Sequence, residues 1–280
     1  MAKRIITPKK IDQYIHSLIT EEKSPATIEK YRRDLMTFYR FTGNTPLTKK
    51  LVIDYKADLQ SRYAVRSVNS MLAAVNGLLL HFRWQDLRVK TIKIQRQLYC
   101  PEERELSKKE YDRLCHTARK KRNDRLELII QTICGTGIRV SELSFITVEA
   151  AKSGKAVVQL KGKTRVVFII RPLQKKLLCY AAERKITSGM IFTTNSGKAI
   201  CRSNIWREMK KLCLDANVDP QKVFPRNLRH LFARVFYAME RDVAKLADIL
   251  GHSSIETTRI YIISSGYEHR QRMEQMRLVI

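Results

Sequence analysis

Read back from Tyr261, the chain gives Leu250-Gly251-His252, then Asn227-Leu228-Arg229-His230, then Thr136-Gly137-Ile138-Arg139-Val140-Ser141-Glu142-Leu143 far upstream. Lys161-Gly162-Lys163-Thr164-Arg165 lies between the last two. Two arginines, a lysine, a histidine and a tyrosine are the parts needed to cut a phosphodiester without a metal ion. A tyrosine hydroxyl can attack phosphorus and hold a strand covalently. Arginine forks can grip the non-bridging oxygens and stabilise the extra charge of the transition state. Arginine suits this better than lysine, because its planar fork always stays charged. Gly135 and Gly137 loosen the chain before Arg139 and let the backbone approach a phosphate. Each piece also has an ordinary reading. Arg139 could simply pair with Glu142 three residues on, and His252 could cap the Ser253-Ser254 turn.

Composition points the same way. There are 54 Lys and Arg against 27 Asp and Glu, a formal charge of +27. Such a chain binds polyanions. A ribosomal or chromatin-like protein would also be basic, but 44% of these residues are hydrophobic, enough for a real core. A length of 280 residues allows two domains. The six cysteines form no CxxC pair, which argues against zinc. Scattered at apolar helical positions such as Cys134, they read as reduced core thiols of a cytosolic protein. Met-Ala-Lys-Arg-Ile-Ile at the start lacks the apolar stretch of a signal peptide. The apolar run from Met71 to Leu80 is interrupted by Asn76 and is too short to span a bilayer. The expected location is the cytoplasm, at the nucleoid if the source is bacterial.

These residues need a scaffold. Residues 8 to about 84 read as four helices. Pro8 behind Thr7 opens the first, with Ile11, Tyr14, Ile15, Leu18 and Ile19 at helical spacing. Ser24-Pro25 opens the second, with Ile28, Tyr31, Leu35 and Phe38. Thr48 caps a third carrying Leu51, Val52 and Tyr55. The fourth runs from about Ala64 through Val68, Met71, Leu72, Val75, Leu79 and Phe82. Lys30, Arg32, Arg33 and Arg66 lie off these stripes, as a solvated face or, preferred in so cationic a chain, as phosphate contacts. Residues 86–104, with Lys90 and Lys93, read as a basic interdomain linker lying over a nucleic-acid backbone. The alternation there could instead mark an edge strand.

Leu106-Ser107-Lys108-Lys109-Glu110 is a capping box that starts a second domain, expected at 105–262. Helices are predicted at about 107–119, 124–134, 172–184, 203–216, 226–239, 242–250 and 254–262. Strands are predicted at 156–160 and 164–170, joined by the Lys161-Gly162-Lys163 turn, with a third candidate at 190–193. Residues 263–280 form a tail with Met273, Met276 and Leu278 at amphipathic spacing.

The ordered set of motifs resembles the tyrosine recombinases, the lambda-type or phage integrase family, in a simple two-domain form without an arm-binding domain. The resemblance covers most of the chain. It implies a mainly α fold with a small β-sheet: an N-terminal four-helix core-binding domain and a mixed α+β catalytic domain. It makes Arg139 and Arg229 the clamp on the scissile phosphate, Tyr261 the nucleophile and His252 a phosphate-orienting residue, with His230 supporting the site. The family pattern Gly-Lys-Gly-x-Lys-x-Arg is one residue shorter here. Alignment from the left selects Lys161 as the general acid that protonates the departing 5′ oxygen, with Lys163 as runner-up. A lysine used this way needs a lowered pKa, which nearby arginines could supply by repulsion. Lys163 and Arg165 are expected to contact DNA. The family's His-x-x-Arg box begins here with Arg226, which cannot act as a base at neutral pH but can still bond a phosphate oxygen. Tyr237 and Tyr267 read as a core and a tail residue.

The resemblance further implies a C-shaped clamp on duplex DNA, a 3′-phosphotyrosyl intermediate, and strand exchange in a homotetramer through a Holliday junction, with the tail as a candidate trans-docking helix. Neither metal, cofactor nor ATP is expected. A type IB topoisomerase shares the chemistry, but the four-helix domain favours a recombinase. A non-cleaving DNA-binding protein has only the Arg226 departure in its favour.

Overall fold

The computed structural model describes residues 4–93, 105–160, 162–194, 196–262 and 274–276. The chain divides into two compact units, Met1–Arg96 and Gln97–Ile280. Among the described residues no helix is long and apolar enough to cross a membrane.

The first unit is a four-helix bundle of α1 Pro8–Thr20, α2 Pro25–Thr42, α3 Lys49–Arg62 and α4 Val65–His81. Thr7, Ser24 and Thr48 cap the first three helices, each side chain accepting a backbone N–H three residues on. The core is built from Ile11, Ile15, Leu35, Phe38, Val52, Tyr55, Leu72 and Val75, among others. Ile19, placed in the buried stripe by its spacing, is exposed near the end of α1. Gly77 lets α1 and α4 approach closely, since a Cβ there would fall 2.2 Å from the Tyr14 hydroxyl.

Asn76 interrupts the apolar face of α4 for a structural reason. Its side-chain amide donates to the Val89 carbonyl at 2.8 Å and accepts the Val89 N–H at 3.0 Å. Asn69, two turns earlier, does the same for Ile92, at 2.8 Å in each direction. The described start of the basic linker, residues 86–93, is therefore held on α4. Leu87 and Val89 are buried, and Lys90 and Lys93 remain exposed.

In the second unit, α5 Lys108–Lys120 begins with both halves of the Ser107–Glu110 capping box in place. Then follow α6 Asp124–Thr136, a 3₁₀ segment Val140–Phe145, and α7 Val148–Ser153. An antiparallel hairpin comes next, β1 Lys155–Leu160 with β2 Lys163–Phe168, pairing Val157 with Val166. The remaining helices are α8 Arg171–Glu183, α9 Arg202–Asp215, α10 Pro225–Glu240, α11 Val243–Leu250 and α12 Ile255–Ile262.

The third strand expected at 190–193 does not form. Its ends make single bridges, Thr147 with Met190 and Thr193 with Ala199, while Ile191 and Phe192 fill the core. The apolar run reflects burial, not a ladder. The 3₁₀ segment and α7 are too short to leave a periodic signal. Cys115 and Cys213 are buried thiols, but Cys179 and Cys201 are exposed, so the expectation of core thiols holds only in part. Burial pushes the Cys115 thiol up to about 11 and Cys134 up to about 12. The amphipathic tail lies outside the described residues except 274–276.

Asn76→Ala removes both partners of Val89 and leaves a buried backbone group unsatisfied. The variant should lose about 1–3 kcal/mol of stability, measured by urea unfolding, while Asn76→Asp, which keeps an acceptor but no donor, should fall between it and the parent.

Candidate active site

The site is assembled at two helix ends and one hairpin. Helix α6 stops at Gly137, which adopts the left-handed conformation (φ +64°). A Cβ there would sit 2.6 Å from the Phe232 ring, so no larger residue fits without displacement. The chain then turns into Arg139. Glu142, one 3₁₀ turn on, accepts from the Arg139 backbone N–H at 2.9 Å and from its guanidinium at 2.8 Å. The ordinary reading of that spacing is thus realised, but in a wider network. Arg165 of β2 reaches the same carboxylate at 2.6 Å and donates to the Ile249 carbonyl at 2.7 Å. The Glu142 side chain is 2% exposed. Burial alone would raise its pKa. The hydrogen bonds from Arg139 and Arg165 outweigh that and hold it below the ordinary carboxylate value.

Helix α11 ends in the same way, at Gly251 (φ +63°), where a Cβ would fall 2.3 Å from Cδ of Arg165. Arg229, with 3% of the residue exposed, projects from α10 into the space between these two helix ends. It donates to the Gly137 carbonyl and, at 2.7 Å, to the Leu250 carbonyl. Its Nη2 also lies 3.0 Å from Nε2 of His252. Arg139 reaches the Gly251 carbonyl at 3.4 Å. His252 Nδ1 is 2.8 Å from the hydroxyl of Thr258 on α12. Burial, and then the charges of Arg229, Arg139 and Arg165, lower the His252 pKa from 6.5 to about 4, so the ring is neutral at physiological pH.

Of the sequence-predicted residues, Arg139, Arg229 and His252 come together. Arg226 is exposed on the first turn of α10, one turn before Arg229. His230 is half-buried beside it, and Tyr237 packs against the small cluster of Ala233, Leu246 and Leu250. Tyr261 lies in α12, one turn after Thr258, and its side chain is outside the described residues. Lys161 and the side chain of Lys163 are also outside them, as is Tyr267; the last pair of the hairpin register is Leu160 with Lys163.

Arg165, expected on DNA, is turned inward instead. Its side chain is 13% exposed, and the Glu142 carboxylate and the α11 carbonyl take its hydrogen bonds. Lys30 and Arg32 are ion-paired, with Asp34 and Asp12, and Arg33 lies 4.0 Å from Asp34; Arg32, Arg33 and Arg66 are exposed. Glu142 and Thr258 were missed as site residues. Glu142 had a signal, its place three residues after an arginine, but only the fold reveals that it serves two. Among the described residues no cluster could hold a metal ion.

The chain matches the phage integrase family over residues 104–266 and the SAM-like N-terminal domain of phage integrases over residues 11–85. It is 27% identical to the tyrosine recombinase XerA of Pyrococcus furiosus, an alignment covering 100% of this chain and 98% of that protein. A crystal structure of XerA recombinase gives a TM-score of 0.55 at 26% identity, covering 97% of this chain and 99% of the other. A lambda integrase dimer bound to a COC′ core site gives 0.74 at 14% identity, covering 91% and 94%, a likeness of fold. Matched in both of its units, with Arg139, Arg229 and His252 brought together and Tyr261 on the helix beside them, the chain belongs to the phage integrase family and is a site-specific recombinase of the tyrosine type.

Proposed function

We propose that the recombinase cuts and rejoins duplex DNA through a 3′-phosphotyrosyl intermediate formed on Tyr261. The observation that carries this reading is the meeting of Arg139, Arg229 and His252 at the ends of α6 and α11, next to the helix that bears Tyr261. Arg139 and Arg229 bind the non-bridging oxygens of the scissile phosphate and stabilise the charge that grows on them. The Tyr261 oxygen attacks phosphorus, the bond from phosphorus to the 5′ oxygen breaks, and that oxygen takes a proton from Lys161. The Tyr261 proton passes to water or another group, because Arg226 cannot accept it. Arg226 adds a third donor for a phosphate oxygen. The phosphotyrosyl bond conserves the energy of the broken one, so rejoining by a 5′ hydroxyl needs no ATP, and the guanidiniums supply the charge stabilisation that a metal ion provides elsewhere.

Exchange takes place in a homotetramer on DNA through a Holliday junction, with residues 263–280 docking on a neighbouring protomer. The first unit grips the duplex through Arg33, Arg66, Lys90 and Lys93, which its fold leaves exposed. The basic balance suits work in the cytoplasm, at the nucleoid of a bacterial source.

Tyr261→Phe should abolish covalent attachment to nicked suicide DNA on a denaturing gel, with DNA affinity nearly unchanged; an adduct in that variant would remove Tyr261 from its role. Lys161→Ala should be inactive on normal DNA yet active on a 5′-bridging phosphorothioate, whose thiolate leaves without a proton. If Lys163→Ala is instead the variant silenced and rescued, the two lysines exchange roles. DNA binding should weaken steeply with salt. Neutralising on the order of ten phosphates, at about −0.9 each, gives a slope near −9 for log K against log salt, and a slope near zero would mean the charge serves another partner.

A further inference from the structure

Helix α12 has an unusual attachment. Of its described side chains, Ile255, Glu256, Thr257 and Arg259 are exposed, and Thr258 is completely buried. A buried hydroxyl demands a hydrogen-bond partner, and that of Thr258 lies 2.8 Å from Nδ1 of His252. The other ring nitrogen, Nε2, lies 3.0 Å from Nη2 of Arg229. A guanidinium has donors and no acceptor. Nε2 must therefore present its lone pair to Arg229, and in a neutral ring the single proton then sits on Nδ1 and is donated to Thr258. This is the tautomer that free histidine disfavours; Arg229, which can only donate, imposes it, and the Thr258 hydroxyl can accept the Nδ1 proton that results.

We propose that Thr258 is a positioning residue: its hydroxyl accepts the Nδ1 proton of His252 and thereby ties the helix that carries the nucleophile to the arginine clamp. The chain of contacts runs from the Gly137 and Leu250 carbonyls through Arg229 and His252 to α12. Residue 261 follows Thr258 by three positions, within one turn of the same helix. A shift of α12 is thus transmitted to the imidazole and on to Arg229, and a phosphate that draws Arg229 away alters the hold on α12. The neutral state of the ring, set by burial and three surrounding guanidiniums, is a condition for this arrangement. Cleavage enters the proposal only through the reading of Tyr261 as nucleophile; the tautomer does not depend on it.

The test uses the full chain labelled with ¹⁵N-histidine, free of DNA, with the His252 signals assigned by their loss in His252→Gln. The parent should show a protonated Nδ1 and an unprotonated Nε2. Thr258→Val, nearly equal in shape, should keep the proton on Nδ1 but move the Nδ1 and Hδ1 signals away from their hydrogen-bonded positions, and Thr258→Ser should restore them. In single-turnover cleavage of saturating nicked DNA, Thr258→Val should slow adduct formation about tenfold, the worth of one hydrogen bond to a positioned group. Its DNA affinity should stay unchanged, and Thr258→Ser should recover the rate. A parent spectrum with the proton on Nε2 overturns the proposal even if the valine variant does not fold. So does a valine variant whose Nδ1 and Hδ1 signals match the parent's, or a serine variant as slow as valine. Failure of the nucleophile reading would show separately, as an adduct formed by Tyr261→Phe while the spectra remain as expected.

Discussion

Arg139, Arg165 and Arg229 converge on one small, partly buried region, and like charges at such range repel strongly. The fold meets this cost with one carboxylate and a set of backbone carbonyls. Glu142 takes two of the guanidiniums. The His252 ring takes one contact from Arg229, and the carbonyls of Gly137, Ile249, Leu250 and Gly251 take others. All four belong to the ends of α6 and α11, where the last carbonyls lack partners within the helix and the dipole is negative. The arrangement of the second unit follows from this need. Two helices stop at the same place, each on a left-handed glycine, so that their bare ends can face the arginines.

This explains why the arginines divide into different roles despite their common chemistry. Arg165 is bound on both sides by protein and acts as a strut from the hairpin to the two helix ends. Arg229 instead holds two neutral carbonyls and the His252 ring, while Arg139 shares Glu142 with Arg165 and reaches one carbonyl. On the proposed reading a phosphate would meet guanidiniums already held in place, the condition for electrostatic stabilisation with little reorganisation.

Much of this was legible in the sequence where one residue acts locally. Thr7, Ser24, Thr48 and Ser107 announced their helices, because a cap is settled within about one turn. The order of Arg139, Arg229 and His252 announced three residues that the fold brings together, because the chemistry sought there dictates residue types. What stayed hidden depends on contacts between distant segments. Nothing near Arg165 in the chain indicates that it turns inward to Glu142 and Ile249. Thr258 looks like any helical threonine until its neighbours across space are known. Ile191 and Phe192 imitate a strand because full burial and a buried ladder leave the same apolar run. Ile19 was misjudged because periodicity continues to a helix end beyond the point where the partner helix covers it.

The two asparagines of α4 have a metrical consequence. Asn69 and Asn76 are separated by seven helical residues, a rise of about 10.5 Å at about 1.5 Å each. Their targets, Val89 and Ile92, are separated by three residues of open chain, about 10 Å if extended at about 3.3 Å each. The two rulers coincide. Since each amide grips a backbone group and not a side chain, the identities of residues 89–92 can vary within the limits of burial. Their number cannot: a single insertion between the two grips would put the rulers out of step by about 3.3 Å, more than a hydrogen bond can absorb. The passage out of the first unit is therefore constrained by count more than by composition.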